Sequence, residues 1–238
     1  MNKFLSSYSK SRFLFTPLFV LSGIIFLLFL SSCGEKKFKI SGSVEDAPEE
    51  SFIALEMSDA NGRWMTLDSV KINSSGEFSF SRPAVSAPEI IRLRFRDDYI
   101  YLPVDSIEHL TVKASAKNFS YGFTVEGSEN AHNMAIFDKR LADAAPSFSN
   151  PDSLNAFKRR IYSDYLKDAE GSVFSYYVLT KIIDGKPLYD SLEDYPYFAA
   201  VATAFRQYRP EDPRTQLLES VSLEGLRRRD AKLGNTNV

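Results

Sequence analysis

The first candidates for functional side chains are aromatic residues on segments in which apolar and polar residues alternate, as they do in β-strands. Trp64, Tyr99 and Tyr101 lie where one face of a sheet would carry them together. Aromatic rings on such a face stack on sugars or on peptides, so these three are candidate ligand-binding residues. The alternative is that the same rings pack against the rest of the fold as core.

Signatures of catalysis and of metal binding are missing from the sequence. The two histidines, His109 and His132, are too few and too dispersed for a metal triad. The glycine-rich phosphate loops and the Gly-x-Ser-x-Gly elbow of many hydrolases do not occur. Adjacent acidic residues such as Asp97 and Asp98 are typical of solvated turns. We therefore expect a protein that is not an enzyme, with no catalytic residue, no metal and no cofactor.

Cys33 is the only cysteine, and it follows a distinctive leader. A single cysteine excludes an intramolecular disulfide, a Cys-x-x-Cys redox centre and a zinc site built from several thiolates. Three basic residues lie within the first twelve positions, an uncharged apolar run covers residues 13–30, and two serines precede the cysteine. Basic, apolar and small residues in this order are the layout of a secretory signal peptide.

The segment Leu30-Ser31-Ser32-Cys33 resembles the lipobox of bacterial lipoproteins. The resemblance implies a diacylglycerol on the Cys33 sulfur, cleavage between Ser32 and Cys33, and acylation of the new amine. Two or three acyl chains give stable membrane attachment, because each buried methylene contributes about 0.8 kcal/mol. An uncleaved signal anchor is the alternative, since about 18 apolar residues can just cross a bilayer. Pro17 suits a long-lived spanning helix poorly.

The same resemblance implies a location and a set of partners. Gly34 follows the cysteine in place of the aspartate that retains some lipoproteins at the inner membrane, so we expect the outer membrane, on the side that faces the periplasm. The membrane, through lipid on Cys33, is one partner, and an envelope protein is a second. Loss of residues 1–32 would change the formal charge from −2 to −5, which argues against nucleic acid as a partner.

Eight short runs between Phe38 and Glu126 alternate between apolar and polar residues. The clearest is the run of Ile91, Leu93 and Phe95, which alternate with arginines and indicate a strand buried on one face. Spacings near ten residues, with turn residues between the runs, predict an antiparallel β-sandwich. A change of register after Leu67 predicts a bulge or two used faces, and Pro103 predicts an edge strand.

From residue 127 onward the apolar residues follow the period of helices. Ser128, Asn150 and Ser172 are expected to cap helices, and the helix that starts at Ser172 is expected to end at Gly185. The fold class is therefore α+β, an N-terminal antiparallel β-sandwich followed by a C-terminal all-helical region. The expected boundaries are 1–32 for the signal peptide, 33–37 for the lipidated tether, 38–126 for the sandwich, 127–229 for the helices and 230–238 for a disordered tail.

The order of these parts resembles an uncharacterised β-rich domain of bacterial lipoproteins. The motifs that carry the resemblance are Phe38-Lys39-Ile40-Ser41-Gly42, Leu67-Asp68-Ser69-Val70, Gly76-Glu77-Phe78-Ser79-Phe80 and Val125-Glu126-Gly127-Ser128. In longer relatives that domain often precedes a thioredoxin-like thiol-disulfide oxidoreductase. The helical stretch, with Val173-Phe174-Ser175-Tyr176 and residues 208–215, resembles the segment that links the two. The cysteines of the oxidoreductase have no counterpart here, so its redox activity is not implied.

Three functions remain open from the sequence. The first is a non-enzymatic binding or assembly module tethered at the envelope, which fits the lipid signal and the missing catalytic motifs. The second, implied by the resemblance alone, is an accessory subunit of a separate thioredoxin-like oxidoreductase. The third is capture of a surface glycan through Trp64, Tyr99 and Tyr101.

Overall fold

A computed structural model of the chain describes residues 36–59 and 62–235. The apolar leader, the expected cleavage position between Ser32 and Cys33, and Cys33 itself lie outside the described residues. Within the described part, no helix is both long enough and apolar enough to cross a membrane.

In the described part of the chain, eight strands form two four-stranded sheets. They are β1 (Lys37–Glu45), β2 (Phe52–Ser58), β3 (Trp64–Lys71), β4 (Glu77–Pro83), β5 (Glu89–Phe95), β6 (Asp98–Val104), β7 (His109–Ser115) and β8 (Thr124–Glu126). The first sheet has the strand order β4-β1-β7-β8, and the second sheet has the order β3-β2-β5-β6.

The facing sides of the two sheets bury one apolar core. From the first sheet Ile40 and Val44 are fully buried, and from the second sheet Ile91, Leu93 and Phe95 are buried in the same cluster. Alternate side chains of a strand point to opposite faces, so one inward row on each strand is enough to build this core. The α+β fold, an N-terminal β-sandwich followed by a helical region, is confirmed.

Pairing direction is the one feature of the sheets that differs locally from the expectation. Strands β1 and β7 run parallel, with Lys39 opposite His109 and Glu45 opposite Ser115. All other strand pairs in the two sheets are antiparallel. The alternation of apolar residues is the same for either direction, so the sequence pattern does not distinguish them.

Two irregularities were predicted correctly. The register of β3 against β2 shifts so that Asp68 lies opposite Leu55 and Thr66 lies opposite Glu56, which makes Leu67 the extra residue of a β-bulge. Pro103 lies on β6, an edge strand of the second sheet. A proline on an edge strand leaves no ladder hydrogen bond unmade on its free side.

Among residues 127–235, five α-helices follow the strands. They are α1 (Glu129–Ala144), α2 (Pro151–Ile161), α3 (Val173–Leu179), α4 (Tyr195–Tyr208) and α5 (Pro213–Asn235). The predicted caps are confirmed, because the side chains of Ser128, Asn150 and Ser172 accept hydrogen bonds from the backbone N–H groups that start α1, α2 and α3. Helix α5 continues past Asp230, where the tail was expected to begin.

The expectation that the third helix runs to Gly185 is wrong. Helix α3 ends at Leu179, and the chain then forms a small antiparallel hairpin from β9 (Ile182–Ile183) and β10 (Lys186–Pro187). Gly185 lies in the turn of this hairpin with φ of +75°, a conformation that glycine adopts without steric penalty.

A second apolar core joins the helices to the second sheet. Met134, Phe137, Val201 and Phe205 are fully buried in it. Two residues of the second sheet, Ile90 and Tyr101, pack against the same cluster. Helix α1 contacts β6 and helix α3 contacts β5, so the helices cover part of the sheet face that points away from the sandwich core. The described residues from Lys37 onward belong to one compact unit.

Candidate binding cleft

The three aromatic residues singled out from the sequence come together on the outer face of the second sheet. The ring centroids of Trp64 and Tyr101 are 5.7 Å apart in an edge-to-face arrangement, and those of Tyr99 and Tyr101 are 6.5 Å apart. Tyr101 also contacts Tyr177 of helix α3, at 5.6 Å between centroids. Tyr101 is therefore shared between the sheet face and the helical core.

Arg92 covers part of this aromatic surface. Its guanidinium carbon lies 4.2 Å from the ring centroid of Trp64 and 4.1 Å from that of Tyr99. Guanidinium groups over aromatic rings are attracted by the negative charge of the ring face. Arg92 therefore occupies one face of the Trp64 ring and one face of the Tyr99 ring.

A buried carboxylate holds Arg92 in place. Glu56 is only 4% exposed, and it accepts hydrogen bonds from Arg92 Nε at 2.7 Å and from Arg94 Nε at 2.6 Å. Burial alone would raise the pKa of Glu56, but the hydrogen bonds from Arg94 and Arg92 outweigh burial and lower the pKa. The ionised carboxylate is thus the form that the folded protein prefers.

Replacing Glu56 by glutamine is expected to destabilise the protein in a pH-dependent way. The folded pKa lies below the ordinary value of 4.5, so the stabilisation is complete above that value and is lost as the pH falls through the folded pKa. Near neutral pH we expect Glu56→Gln to lower the free energy of unfolding by about 1.5–3 kcal/mol. Well below pH 4.5 the difference should shrink.

Urea unfolding of both proteins across this pH range measures the effect. Glu49→Gln, a change at an exposed glutamate, is the matched control and should alter stability little at any pH. An equal loss of stability at neutral and at acidic pH would contradict the assigned role of Glu56.

A cleft of about 810 Å³ opens between the second sheet and the helices. The sheet contributes Trp64 and Tyr101 to the cleft wall. Helix α3 contributes Tyr176, and the chain just after this helix contributes Lys181. Tyr99 is not among the lining residues. Volume in this range is typical of sites for small molecules. The structure therefore places two of the three expected ligand-binding residues in the cleft wall.

An ionic network closes one side of the cleft. Lys181 Nζ donates to Asp138 Oδ1 at 2.6 Å and also contacts the Tyr177 hydroxyl. The Tyr177 hydroxyl donates to both carboxylate oxygens of Asp138, at 3.0 and 2.9 Å. Burial raises the pKa of Asp138, although Lys181 and Tyr177 oppose the shift. The Tyr177 hydroxyl is thus buried against Asp138.

A second ionic pair also lines the cleft. Arg214 donates to both oxygens of Asp212, at 2.8 and 2.7 Å, and to the backbone carbonyl of Pro88 at 2.6 Å. Burial would raise the pKa of Asp212, but its hydrogen bonds with Arg214 outweigh this and lower the pKa. Arg209 adds a further link, because it donates to Asp105 at 2.9 Å. This segment ties the helices to the sandwich.

Two polar groups in the cleft lack such partners. Among the described residues, the carboxylate of Glu89 has no hydrogen bond and no ion pair within 4 Å, and the Tyr176 hydroxyl has no hydrogen bond. Burial raises the pKa of Glu89 and also the pKa of Tyr176. Both groups are therefore placed where a ligand could satisfy them.

The histidines are not among the residues that line the cleft. His109 is exposed on β7, and His132 is exposed on α1. Within residues 36–59 and 62–235, no group of three His, Cys, Asp or Glu side chains is arranged to hold a metal ion.

Sequence reasoning missed most of the polar residues of the cleft. Glu89, Lys181 and Arg214 come from three distant segments that meet only when the helices pack on the sheet. The one available signal was the motif at residues 208–215, which contains Asp212 and Arg214 and was noted only as part of a resemblance.

The chain was compared with curated proteins, with solved structures and with models of protein families. The search of curated proteins found no match. Among solved structures, transthyretin from Sparus aurata matches at 14% identity and a TM-score of 0.29, over 38% of this chain and 97% of that chain. Sea bream transthyretin in complex with thyroxine matches at 14% identity and a TM-score of 0.28, over 38% and 96% of the two chains. Residues 38–134 match the family model described as Domain of unknown function (DUF4369), which confirms the resemblance of this segment to an uncharacterised β-rich domain.

Proposed function

We propose that this protein is a non-enzymatic binding module of the bacterial cell envelope, anchored by lipid on Cys33 and binding its ligand in the cleft between sheet and helices. The observation that carries the binding role is the cleft itself, with a volume of about 810 Å³ and a wall that combines aromatic rings with a few polar groups. Sites for small molecules have this composition.

Apart from Glu89, the charged side chains that line the cleft are held in ion pairs, which favours binding over chemistry. Lys181 is held by Asp138, and Arg214 is held by Asp212. A general acid or base needs a proton that it can exchange with a substrate, and groups held in ion pairs are poorly suited to that task. The cleft therefore supports recognition better than catalysis.

The anchor is supported by the leader sequence. The basic residues, the apolar run of residues 13–30 and the lipobox-like Leu30-Ser31-Ser32-Cys33 form one consistent processing signal. Intact mass measurement of the native product tests it. A chain that begins at Cys33 and carries the added mass of acyl chains is expected, and an unmodified chain that retains its leader would refute the anchor.

Equilibrium dialysis of the full chain in detergent against an extract of envelope small molecules tests the binding role. Mass spectrometry should find compounds enriched by the protein and chemically unchanged. Ala87→Phe places a large ring at the cleft wall and should abolish the enrichment. Ala142→Phe, at an exposed position of helix α1, makes the same change away from the cleft and should leave the enrichment intact.

Equal enrichment by both variants would contradict the cleft as the binding site. Conversion of an enriched compound to a product would contradict the non-enzymatic role. Association with a separate thiol-disulfide oxidoreductase and glycan capture through Trp64, Tyr99 and Tyr101 stay predictions. Arg92 already lies over the rings of Trp64 and Tyr99, so a glycan could not stack on those ring faces unless Arg92 moved.

A further inference from the structure

The charges that line the cleft do not balance. Lys181 pairs with Asp138, Arg214 pairs with Asp212, and Asp59 pairs with Arg63. Within the described part of the chain, Glu89 is the lining residue whose charge has no such ion pair. The cleft therefore carries one negative charge that the protein itself does not compensate.

Arg214 is the cationic side chain whose charge acts on Glu89, but the two side chains form neither a hydrogen bond nor an ion pair. The hydrogen bonds of Arg214 go to Asp212 and to the carbonyl of Pro88. Glu89 is partly buried and its carboxylate oxygens still reach solvent, so burial removes part of their hydration and no protein donor replaces it. A cation that enters the cleft would supply the missing interaction.

The rest of the cleft wall also suits a cation on an apolar body. Trp64, Tyr101 and Tyr176 provide aromatic surface, and Ile90 provides an aliphatic contact. Arg92, Lys181 and Arg214 already lie near ring faces of Trp64, Tyr101 and Tyr176. These rings therefore suit the apolar body of a ligand and leave its ammonium group to Glu89. The Tyr176 hydroxyl oxygen, which lacks a hydrogen bond among the described residues, can accept one from an ammonium group.

We propose that the cleft binds a ligand that carries a primary ammonium group on an apolar or ring-shaped body, with Glu89 as the counter-ion and Trp64, Tyr101 and Tyr176 around the body. This assignment rests on the proposed binding function and narrows it to one ligand chemistry. The anionic alternative is disfavoured, because both cationic side chains of the cleft are already neutralised by Asp138 and Asp212.

The fluorescence of Trp64 provides a direct test, because Trp64 is the only tryptophan in the chain and lines the cleft. The full chain in detergent is titrated with three probes of nearly equal size, namely phenethylamine, the neutral 2-phenylethanol and the anionic 3-phenylpropionate. We expect phenethylamine to bind about tenfold more tightly than 2-phenylethanol, as a charged hydrogen bond would give. 3-Phenylpropionate should bind least tightly.

Glu89→Gln should remove the preference for the amine and leave the affinity for 2-phenylethanol unchanged. This variant loses no ion pair of the fold, so it should remain folded. Glu49→Gln changes an exposed glutamate and should retain the preference.

Equal affinity for the amine and the alcohol, or a preference that survives Glu89→Gln, would overturn the ammonium assignment and leave the cleft as a binding site. Failure of phenethylamine to bind would also overturn the assignment. The dialysis of Ala87→Phe and Ala142→Phe decides separately whether the cleft binds anything at all.

Discussion

Asp138→Ala is expected to lower the free energy of unfolding by about 3–5 kcal/mol, because it breaks a buried ion pair from one side. Asp138 is 7% exposed and accepts hydrogen bonds from Lys181 and Tyr177. Without the carboxylate, the Lys181 ammonium group and the Tyr177 hydroxyl lose their partner inside the wall of the cleft. Lys181 can reach water through the cleft in part, which favours the lower end of the range.

Chemical denaturation monitored by circular dichroism measures this loss. The matched control is Asp164→Ala, since Asp164 pairs with Arg140 at 2.8 Å but has a side chain that is 39% exposed. Exposed pairs contribute about 1 kcal/mol or less, so the control should be only mildly destabilised. Similar losses in the two variants would show that the Asp138 network does not stabilise the helical core.

Gly127→Ala is the second change with a large expected effect, at least about 3 kcal/mol, because two penalties act together. Gly127 has φ of +104°, which L-residues rarely adopt. An added Cβ would lie 2.0 Å from the carbonyl oxygen of His109. That oxygen belongs to the backbone of β7, an inner strand of the first sheet, so no flexible side chain can move aside.

Gly185→Ala separates the two penalties. Gly185 also has a positive φ, of +75°, but an added Cβ would have nothing within 4 Å. Backbone strain alone should therefore destabilise Gly185→Ala by about 1 kcal/mol. Thermal and urea unfolding of both variants provides the comparison. If Gly127→Ala were no worse than Gly185→Ala, the close approach to His109 would be irrelevant to stability.

Most strands and helix starts could be predicted because the signals for them are local. The alternation of Ile91, Leu93 and Phe95 with arginines follows from a sheet that buries one face. The caps at Ser128 and Asn150 follow from side chains that satisfy nearby N–H groups. Such features depend on a few neighbouring residues and are visible in the sequence.

Pairing direction and the hairpin after α3 could not be predicted, because they depend on distant contacts. The parallel pair of β1 and β7 joins segments about seventy residues apart. The apolar residues Ile182 and Ile183 continue the helical pattern of α3, yet they form a strand whose partner is Lys186–Pro187. Short apolar runs are ambiguous between helix and strand.

The candidate site was predictable only on its sheet side. Trp64 and Tyr101 could be placed on one face because strand geometry alone fixes which face a residue occupies. Glu89, Lys181 and Arg214 could not be grouped in advance, because their proximity depends on how the helices pack on the sheet.

The boundary of the matched domain divides the cleft between two stretches of sequence. Residues 38–134 include Trp64, Glu89 and Tyr101, whereas Tyr176, Lys181 and Arg214 lie beyond them. A chain that kept the first stretch but carried a different C-terminal stretch would retain Glu89, Trp64 and Tyr101. The part of the cleft wall that the helices provide would be different. Ligand selectivity in such chains would depend on both stretches. Two chains would therefore be expected to bind the same ligand only if both stretches were preserved.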